Sequence, residues 1–252
     1  MPSSSPASPE PLRLAFGNAA ADYERGRPDW PDEIGGVGGL PAGADVLDLG
    51  AGTGKLTRVL ARRFACVIAV EPSDEMRSGI DGGETLAGTA EEIPLADASV
   101  DGVFCGECFH WFDWAVALRE IERVLRPHGV LVLCFQMPDE GPYIPMPEEG
   151  WEIARRYRRP GVASGGAILE SGAWRAPFDE PSSPFEPLRT ESFRHVHVQT
   201  ADEVVARTLS TSVFAVLPAE ERRALGAELR AVVPDGEYRS NLRAEVWWTR
   251  LR

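Results

Sequence analysis

The stretch Asp48-Leu49-Gly50-Ala51-Gly52-Thr53-Gly54 lies where an apolar run, Asp45 to Leu49, gives way to a helical pattern over Thr53 to Phe64. Glycines at such a strand-to-helix bend let the backbone pass close to a ligand, and the helix start presents free N–H groups. A dinucleotide fingerprint G-x-G-x-x-G needs glycine at position 55, which is Lys55. A phosphate loop ending at Gly54-Lys55 needs glycine at 49 and Ser or Thr at 56, which are Leu49 and Leu56. The pattern acid-x-G-x-G-x-G fits every position. An acid two residues ahead of the first glycine suits a positively charged nucleoside and repels a pyrophosphate.

Working outward, the chain from Asp45 to Phe135 alternates short apolar runs with helical stretches, the signal for βαβ units and a parallel sheet. Strands are expected at Asp45 to Leu49, Val67 to Glu71, Val100 to Cys105 and Val130 to Phe135, with a weaker one at Thr85 to Gly88. In the first crossover helix Leu56, Val59, Leu60 and Phe64 recur at helical spacing. A second helix is expected over Trp114 to Leu125, stopped by Pro127-His128-Gly129. Glu71 ends the second strand, where an acid can accept hydrogen bonds from ribose hydroxyls.

After Gln136 the rhythm breaks. The segment 138–187 is crowded with Pro and Gly, holds one helical candidate (Glu148 to Arg158), and reads as a lid. Order returns with a strand over Ser192 to Gln199 and a helix over Thr200 to Ser210, opened by the capping box Thr200 and Glu203. A helix over Pro218 to Val233 and a closing strand over Arg243 to Leu251 follow. The expected fold is α/β: a Rossmann-like doubly wound sheet of about seven strands, mostly parallel with an antiparallel last strand, plus the lid. Residues 1–13 read as a disordered Ser/Pro-rich leader and 14–252 as one domain.

The net charge of −13 opposes phosphate backbones, so nucleic acid is not expected as a partner. No apolar run is long enough to span a bilayer, and the N-terminus lacks a signal-peptide pattern, so a cytoplasmic protein, monomer or homodimer, is expected. The four cysteines, Cys66, Cys105, Cys108 and Cys134, fall in apolar runs that suit free buried thiols. Cys105-Gly106-Glu107-Cys108 has redox spacing but closes a strand, whereas a redox pair needs its first thiol at a helix start. No second pair completes a zinc site, and no metal is expected.

Further motifs are Val70-Glu71-Pro72-Ser73, Gly88-Thr89-Ala90-Glu91-Glu92-Ile93-Pro94-Leu95, Ser99-Val100-Asp101, Phe109-His110-Trp111-Phe112-Asp113 and Glu122-Arg123-Val124-Leu125-Arg126-Pro127-His128-Gly129. Upstream stand Phe16, Tyr23, Arg27, Pro28, Trp30 and Pro31. With these, the chain resembles the class I S-adenosylmethionine-dependent methyltransferases, within them the small-molecule group of trans-aconitate and ubiquinone/menaquinone methyltransferases. The resemblance covers residues 14–136, then thins to a match around Leu209 to Leu217.

That resemblance implies S-adenosylmethionine as cofactor and a small-molecule acceptor, with O-methylation of a carboxylate or hydroxyl favoured over N- or C-methylation. It implies that Asp48, Gly50 and Gly52, with Ala51, hold the methionine part and Glu71 the ribose. The Ser73 and Met76 region borders the adenine, with Thr89, Ala90 and Glu91 along its edge, and Pro72 and Cys105 are counted in the same site. Tyr23 and Arg27 close over the cofactor. Thr89 departs from the family's frequent Asp, and Glu107 from its neutral amide.

His110 and Glu107 are the candidate catalytic groups, His110 because its ordinary pKa lies near neutrality. A histidine at a strand-to-helix turn serves equally well as a structural group. Phe109 and Trp111 are candidate substrate contacts and also, with Phe112, candidate core or cofactor-wall rings. Arg155 is a candidate anion clamp, although Arg155, Arg156, Arg158 and Arg159 also read as a solvated helix face. Asp101 reads as structural. Two other readings remain open from the residues: a cofactor-binding scaffold without transfer, and a nicotinamide oxidoreductase, which the glycine spacing opposes.

Overall fold

The computed structural model describes residues 17–162 and 164–252; the expected leader and Phe16 lie outside them. Seven strands form one sheet: β1 (Asp45–Leu49), β2 (Cys66–Val70), β3 (Glu84–Leu86), β4 (Val100–Gly106), β5 (Leu125–Glu140), β6 (Arg189–Gln199) and β7 (Tyr238–Arg250), in the order β3-β2-β1-β4-β5-β7-β6. Strands β1 to β5 run parallel, and β7 is antiparallel to both β5 and β6. The helices are α1 (Ala20–Gly26), α2 (Lys55–Ala61), α3 (Asp74–Arg77), α4 (Trp114–Val124), α5 (Glu148–Tyr157), α6 (Gly165–Ser171), α7 (Ala176–Asp179), α8 (Ala201–Leu209), α9 (Ser212–Ala215) and α10 (Ala219–Val232).

The central strands β1, β4 and β5 are buried on both faces along most of their length, and the period-two alternation of the strands assigns each side chain to a layer. Leu47, Leu49, Val103, Cys105, Leu131 and Leu133 pack against Trp114, Ala117, Leu118, Ile121 and Val124 of α4. Val46, Phe104, Val130 and Val132 pack against Leu56, Val59 and Leu60 of α2 and against Ile34 and Val37. Helix α4 forms because its apolar residues fall on one stripe, and Asp113 starts it by accepting from the N–H groups of Ala115 and Val116. A third cluster joins α5, α8 and α10 through Ile153, Val204, Val205, Leu209, Leu225 and Leu229.

At the end of the central strands opposite the glycine bend, Asp101 ties three elements together. Its carboxylate accepts from the Asp45 N–H at 2.8 Å and from Arg126 at 2.7 Å, while Arg126 also reaches Asp45 at 2.8 Å. This is the structural role that the sequence suggests for Asp101.

Several boundaries differ from expectation. Strand β5 starts earlier and ends later than 130–135, because its pairing with β7 continues to Glu140; Pro138 to Glu140 thus belong to the sheet, and the irregular segment begins after them. Helix α2 starts at Lys55 because Gly54 is left-handed, φ 85°, and cannot extend the helix backwards. The capping box of α8 is present in both directions. Helices α1, α6 and α9 lack the long apolar periodicity by which α4 announces itself.

Candidate active site

The site starts where β1 ends. The N–H groups of Gly50 and Ala51 both donate to the carbonyl of Val70, at 2.9 and 3.1 Å, which folds the glycine turn against β2. Gly50 and Gly52 have φ of 71° and 59°, in the region that side chains on Cβ disfavour. A Cβ at Gly50 would stand 2.9 Å from Cβ of Cys108, whereas one at Gly52 would point between Tyr23 and Met76, 3.9 Å from each. The turn is therefore closed behind Gly50 and open in front of Gly52.

Glu71 follows β2 directly. One carboxylate oxygen accepts from the Gly52 N–H at 2.9 Å and the other from the Ser73 N–H at 3.0 Å, so the acid is fixed at the rim of the turn. Asp48 sits beneath, 1% exposed, with Oδ2 accepting from the Thr57 hydroxyl at 2.6 Å and Oδ1 without a hydrogen-bond partner. Burial pushes the Asp48 carboxyl up to about 7; Glu71 adds to the rise and the Thr57 hydrogen bond opposes it.

In front of the turn lies a cavity of about 400 Å³, lined by residues that range along the chain from Tyr23 in α1 to Val213 in α9. Tyr23 and Arg27 form one wall, with the guanidinium packed 5.2 Å from the Tyr23 ring centre. Arg27 donates from Nε to the Ser210 hydroxyl at 2.9 Å and from Nη2 to the Ser210 carbonyl at 3.1 Å. Glu107 faces the cavity from the end of β4 with φ 57°, a conformation costing about 1 kcal/mol for such a residue. Its carboxylate accepts from the Gln136 N–H, and its own N–H donates to the Cys134 carbonyl at 2.9 Å. Burial raises the Glu107 pKa, against the opposing hydrogen bond from Gln136 and the charges of Arg27 and Arg207.

The one-turn helix Phe109–Trp111 sorts its rings. Phe109 is fully buried and meets Phe112, Trp174 and Phe178 in the core. His110 and Trp111 line the cavity instead. The His110 imidazole is 4% exposed, and its Nδ1 has no hydrogen-bond partner. Burial, helped by the charge of Arg27, lowers its pKa to about 3, so the ring is neutral at physiological pH. Helix α6 closes this end, with the Gly165 N–H donating to the Ser212 hydroxyl at 3.3 Å.

Of the residues singled out from the sequence, Tyr23, Arg27, Gly50, Gly52, Glu71, Pro72, Met76, Thr89, Ala90, Glu107, His110 and Trp111 line this cavity together. Asp48, Ala51 and Cys105 lie behind its wall in buried positions. Glu91 accepts from the Asp113 N–H at 2.9 Å, and Phe109 is core. Arg155 is exposed and pairs with Glu148, while Arg156 and Arg159 pair with Glu228 and Glu221 on α10. Arg155 and Arg156 face solvent because the buried stripe of α5 consists of Gly150, Ile153 and Ala154, and Arg159 lies beyond the end of that helix.

Cavity residues that sequence reasoning missed include Cys108, Gln136, Met137, Tyr143, Ser164, Gly165, Leu169 and Val213. The pair Ser164-Gly165, a capping residue followed by a helix start, was the one readable signal among them: Ser164 accepts from the Ala167 N–H. Cys108 donates to the Leu49 carbonyl at 3.0 Å beneath the glycine turn.

Comparison with known proteins adds the family. Residues 47–133 match the model of the methyltransferase domain. A methyltransferase of Mycobacterium tuberculosis is 50% identical over 135 residues, covering 51% of this chain and 55% of that protein. The chain thus spans about half the length of these mycobacterial relatives. A methyltransferase-like protein of Schizosaccharomyces pombe is 36% identical over 223 residues, covering 85% of this chain and 84% of that one. Among solved structures, one described as a type II methyltransferase of Anaeromyxobacter dehalogenans superposes with a TM-score of 0.55 at 21% identity, over 90% of this chain and 97% of that one, and it shares the fold. Together with the glycine turn and the sheet order, these matches show that the chain belongs to the class I S-adenosylmethionine-dependent methyltransferases.

Proposed function

We propose that this protein transfers the methyl group of S-adenosylmethionine to an oxygen, of a carboxylate or a hydroxyl, on a small molecule. The observation that carries this reading is the open turn at Gly52 with Glu71 fixed at its rim. The residues fit the cofactor. A buried acid with an unsatisfied oxygen, Asp48 Oδ1, lies under the turn and complements a positively charged ligand above it. Glu71, held by two backbone N–H groups at the rim of the turn, presents a carboxylate of the kind that accepts hydrogen bonds from ribose hydroxyls. Pro72, Met76, Thr89 and Ala90, which line the same cavity, offer a mainly apolar surface of the kind that suits a purine.

When bound, the cofactor supplies a methyl group on a positively charged sulfur. The protein's part is placement: holding an acceptor oxygen in line about 3 Å from that carbon accounts for much of the rate in such displacements. Arg27 and Tyr23 screen the cavity from solvent on one side, and α6 does so on the other. His110 stands ready to take a proton where the acceptor carries one. None of the helices among the described residues is long and apolar enough to cross a membrane.

The test is detection of S-adenosylhomocysteine released by the purified protein with panels of hydroxyl and carboxylate acceptors. Turnover with either panel supports the reading. Binding of S-adenosylmethionine with no turnover on an exhaustive panel would favour a scaffold instead.

A further inference from the structure

The two edges of the sheet are built differently. One ends in β3, which is only Glu84–Leu86 long; the other ends in β6, Arg189–Gln199, whose far side pairs with no other strand among the described residues. β6 runs against β7 in unbroken antiparallel register, from Arg189 opposite Trp248 to Gln199 opposite Tyr238, with no bulge to twist the edge away. Among the described residues no backbone hydrogen bond outside that ladder reaches 189–198. Soluble proteins blunt an exposed edge by keeping it short or by placing proline, lysine or a bulge in it. Shortness protects β3, whereas β6 is long and has neither proline nor lysine. Its arginines are already engaged, Arg189 with Glu186 and Arg194 with Asp139, each at 2.9 Å. Val196 and Val198 are the large apolar side chains that stand in solvent among the described residues, 49% and 46% exposed.

We propose that this edge is a homodimer interface, in which the β6 strands of two copies pair antiparallel about a two-fold axis centred on Phe193 and join the two sheets into one. A two-fold axis normal to the sheet keeps every side chain on its own face, so each residue opposes one of its own parity in the other copy. Centring on Phe193 sets that ring against its own copy, Glu191 against His195 and Thr190 against Val196. Leu188, just before the strand, then falls opposite Val198. Aromatic, β-branched and acid–imidazole pairs are the cross-strand kinds that stabilise a ladder, and both exposed valines gain a partner. The neighbouring registers are worse. Centring on Arg194 sets that guanidinium against its own copy, and centring on Ser192 sets Glu191 against Phe193 and Val198 against Glu186. The strand is therefore complementary to itself. The chain's first sixteen residues are a poorer occupant, because Pro2, Pro6, Pro9 and Pro11 have no N–H to give to a ladder.

The test uses the full chain without cofactor, by sedimentation velocity and hydrogen–deuterium exchange. Between about 1 and 100 μM the protein should pass from the monomer mass to twice that mass, as mass action requires. Over the same range the amides of 189–199 should gain about tenfold or more in protection. Val196→Lys, present twice in a dimer, should weaken association about tenfold. The double variant Thr190→Asp/Val196→Lys should recover the wild-type dissociation constant to within about threefold, because each new acid then faces the new lysine of the other copy. Within one strand the two positions lie about 20 Å apart and cannot pair, so this rescue reports the register. Both positions are exposed, and the denaturant midpoints of the variants should match the wild type. A wild-type monomer throughout, a dimer indifferent to Val196→Lys, or no recovery in the double variant would overturn the proposal. Protection of 189–199 that is independent of concentration and lost on deleting residues 1–16 would overturn it in favour of that segment. No S-adenosylmethionine is present, so none of these outcomes bears on methyl transfer.

Discussion

Gly165 lies so close to the His110 imidazole that a Cβ at position 165 would stand 2.8 Å from Nε2 and 2.9 Å from Cζ2 of Trp111. The first residue of α6 is thus packed directly on the candidate catalytic ring, which couples the position of the irregular segment to the chemistry. Gly165→Ala should push α6 away from His110. The expected result is a kcat lowered about 10- to 100-fold, the range in which a displacement near 1 Å acts, with S-adenosylmethionine affinity unchanged within threefold. Steady-state kinetics together with titration calorimetry checks both halves.

The glycine turn predicts a different pattern. At Gly52 a side chain has room for its first carbon but must adopt φ near 59°, and anything longer extends between Tyr23 and Met76 into the cavity. Gly52→Leu should therefore weaken S-adenosylmethionine binding at least 100-fold while costing only about 1–2 kcal/mol in stability from the backbone conformation. Calorimetry and a denaturant midpoint separate the two effects.

Asp48 predicts a pH dependence. Its pKa in the folded protein, about 7, is raised above that of the unfolded chain, so the unliganded protein holds a proton there through the mildly acidic range. A cationic ligand above it favours the ionised form and releases that proton. S-adenosylmethionine affinity should accordingly fall as pH drops below about 7, by up to tenfold per unit, and Asp48→Asn should flatten the profile. The same shift works in the other direction on stability without ligand: the Asp48 contribution is present at low pH and lost as pH rises through about 7.

Asp101 predicts stability without function. Asp101→Ala removes the acceptor for the Asp45 N–H and one partner of Arg126 at the end of the central strands far from the site. The expected cost is about 1–2 kcal/mol in chemical denaturation, with kcat and cofactor affinity unchanged.

The sheet and its glycine turn were legible in the sequence because each rests on a local rule: short apolar runs alternating with helical stretches for β1, β2, β4 and β5, and glycine spacing for the bend. Asp48, Glu71 and His110 could be picked out because they sit at fixed offsets from those elements. Tyr143, Leu169 and Val213 could not, since they come from segments whose course is decided by tertiary packing and by Pro and Gly turns. The aromatic run Phe109 to Phe112 shows the limit well. Its residues share one chemistry, and only the one-turn helix Phe109–Trp111 decides that Phe109 turns into the core while His110 and Trp111 face the cavity. Arg155 illustrates the converse, a residue with anion-binding chemistry that the apolar stripe of α5 turns outward to Glu148.

The most direct test is a crystal structure of the protein with S-adenosylhomocysteine. The ribose hydroxyls should lie on the Glu71 carboxylate, with the backbone at Gly52 against the ligand and the sulfur opening toward His110. A nucleoside bound elsewhere, or a Gly52 turn filled by protein side chains with Glu71 facing away, would contradict the account.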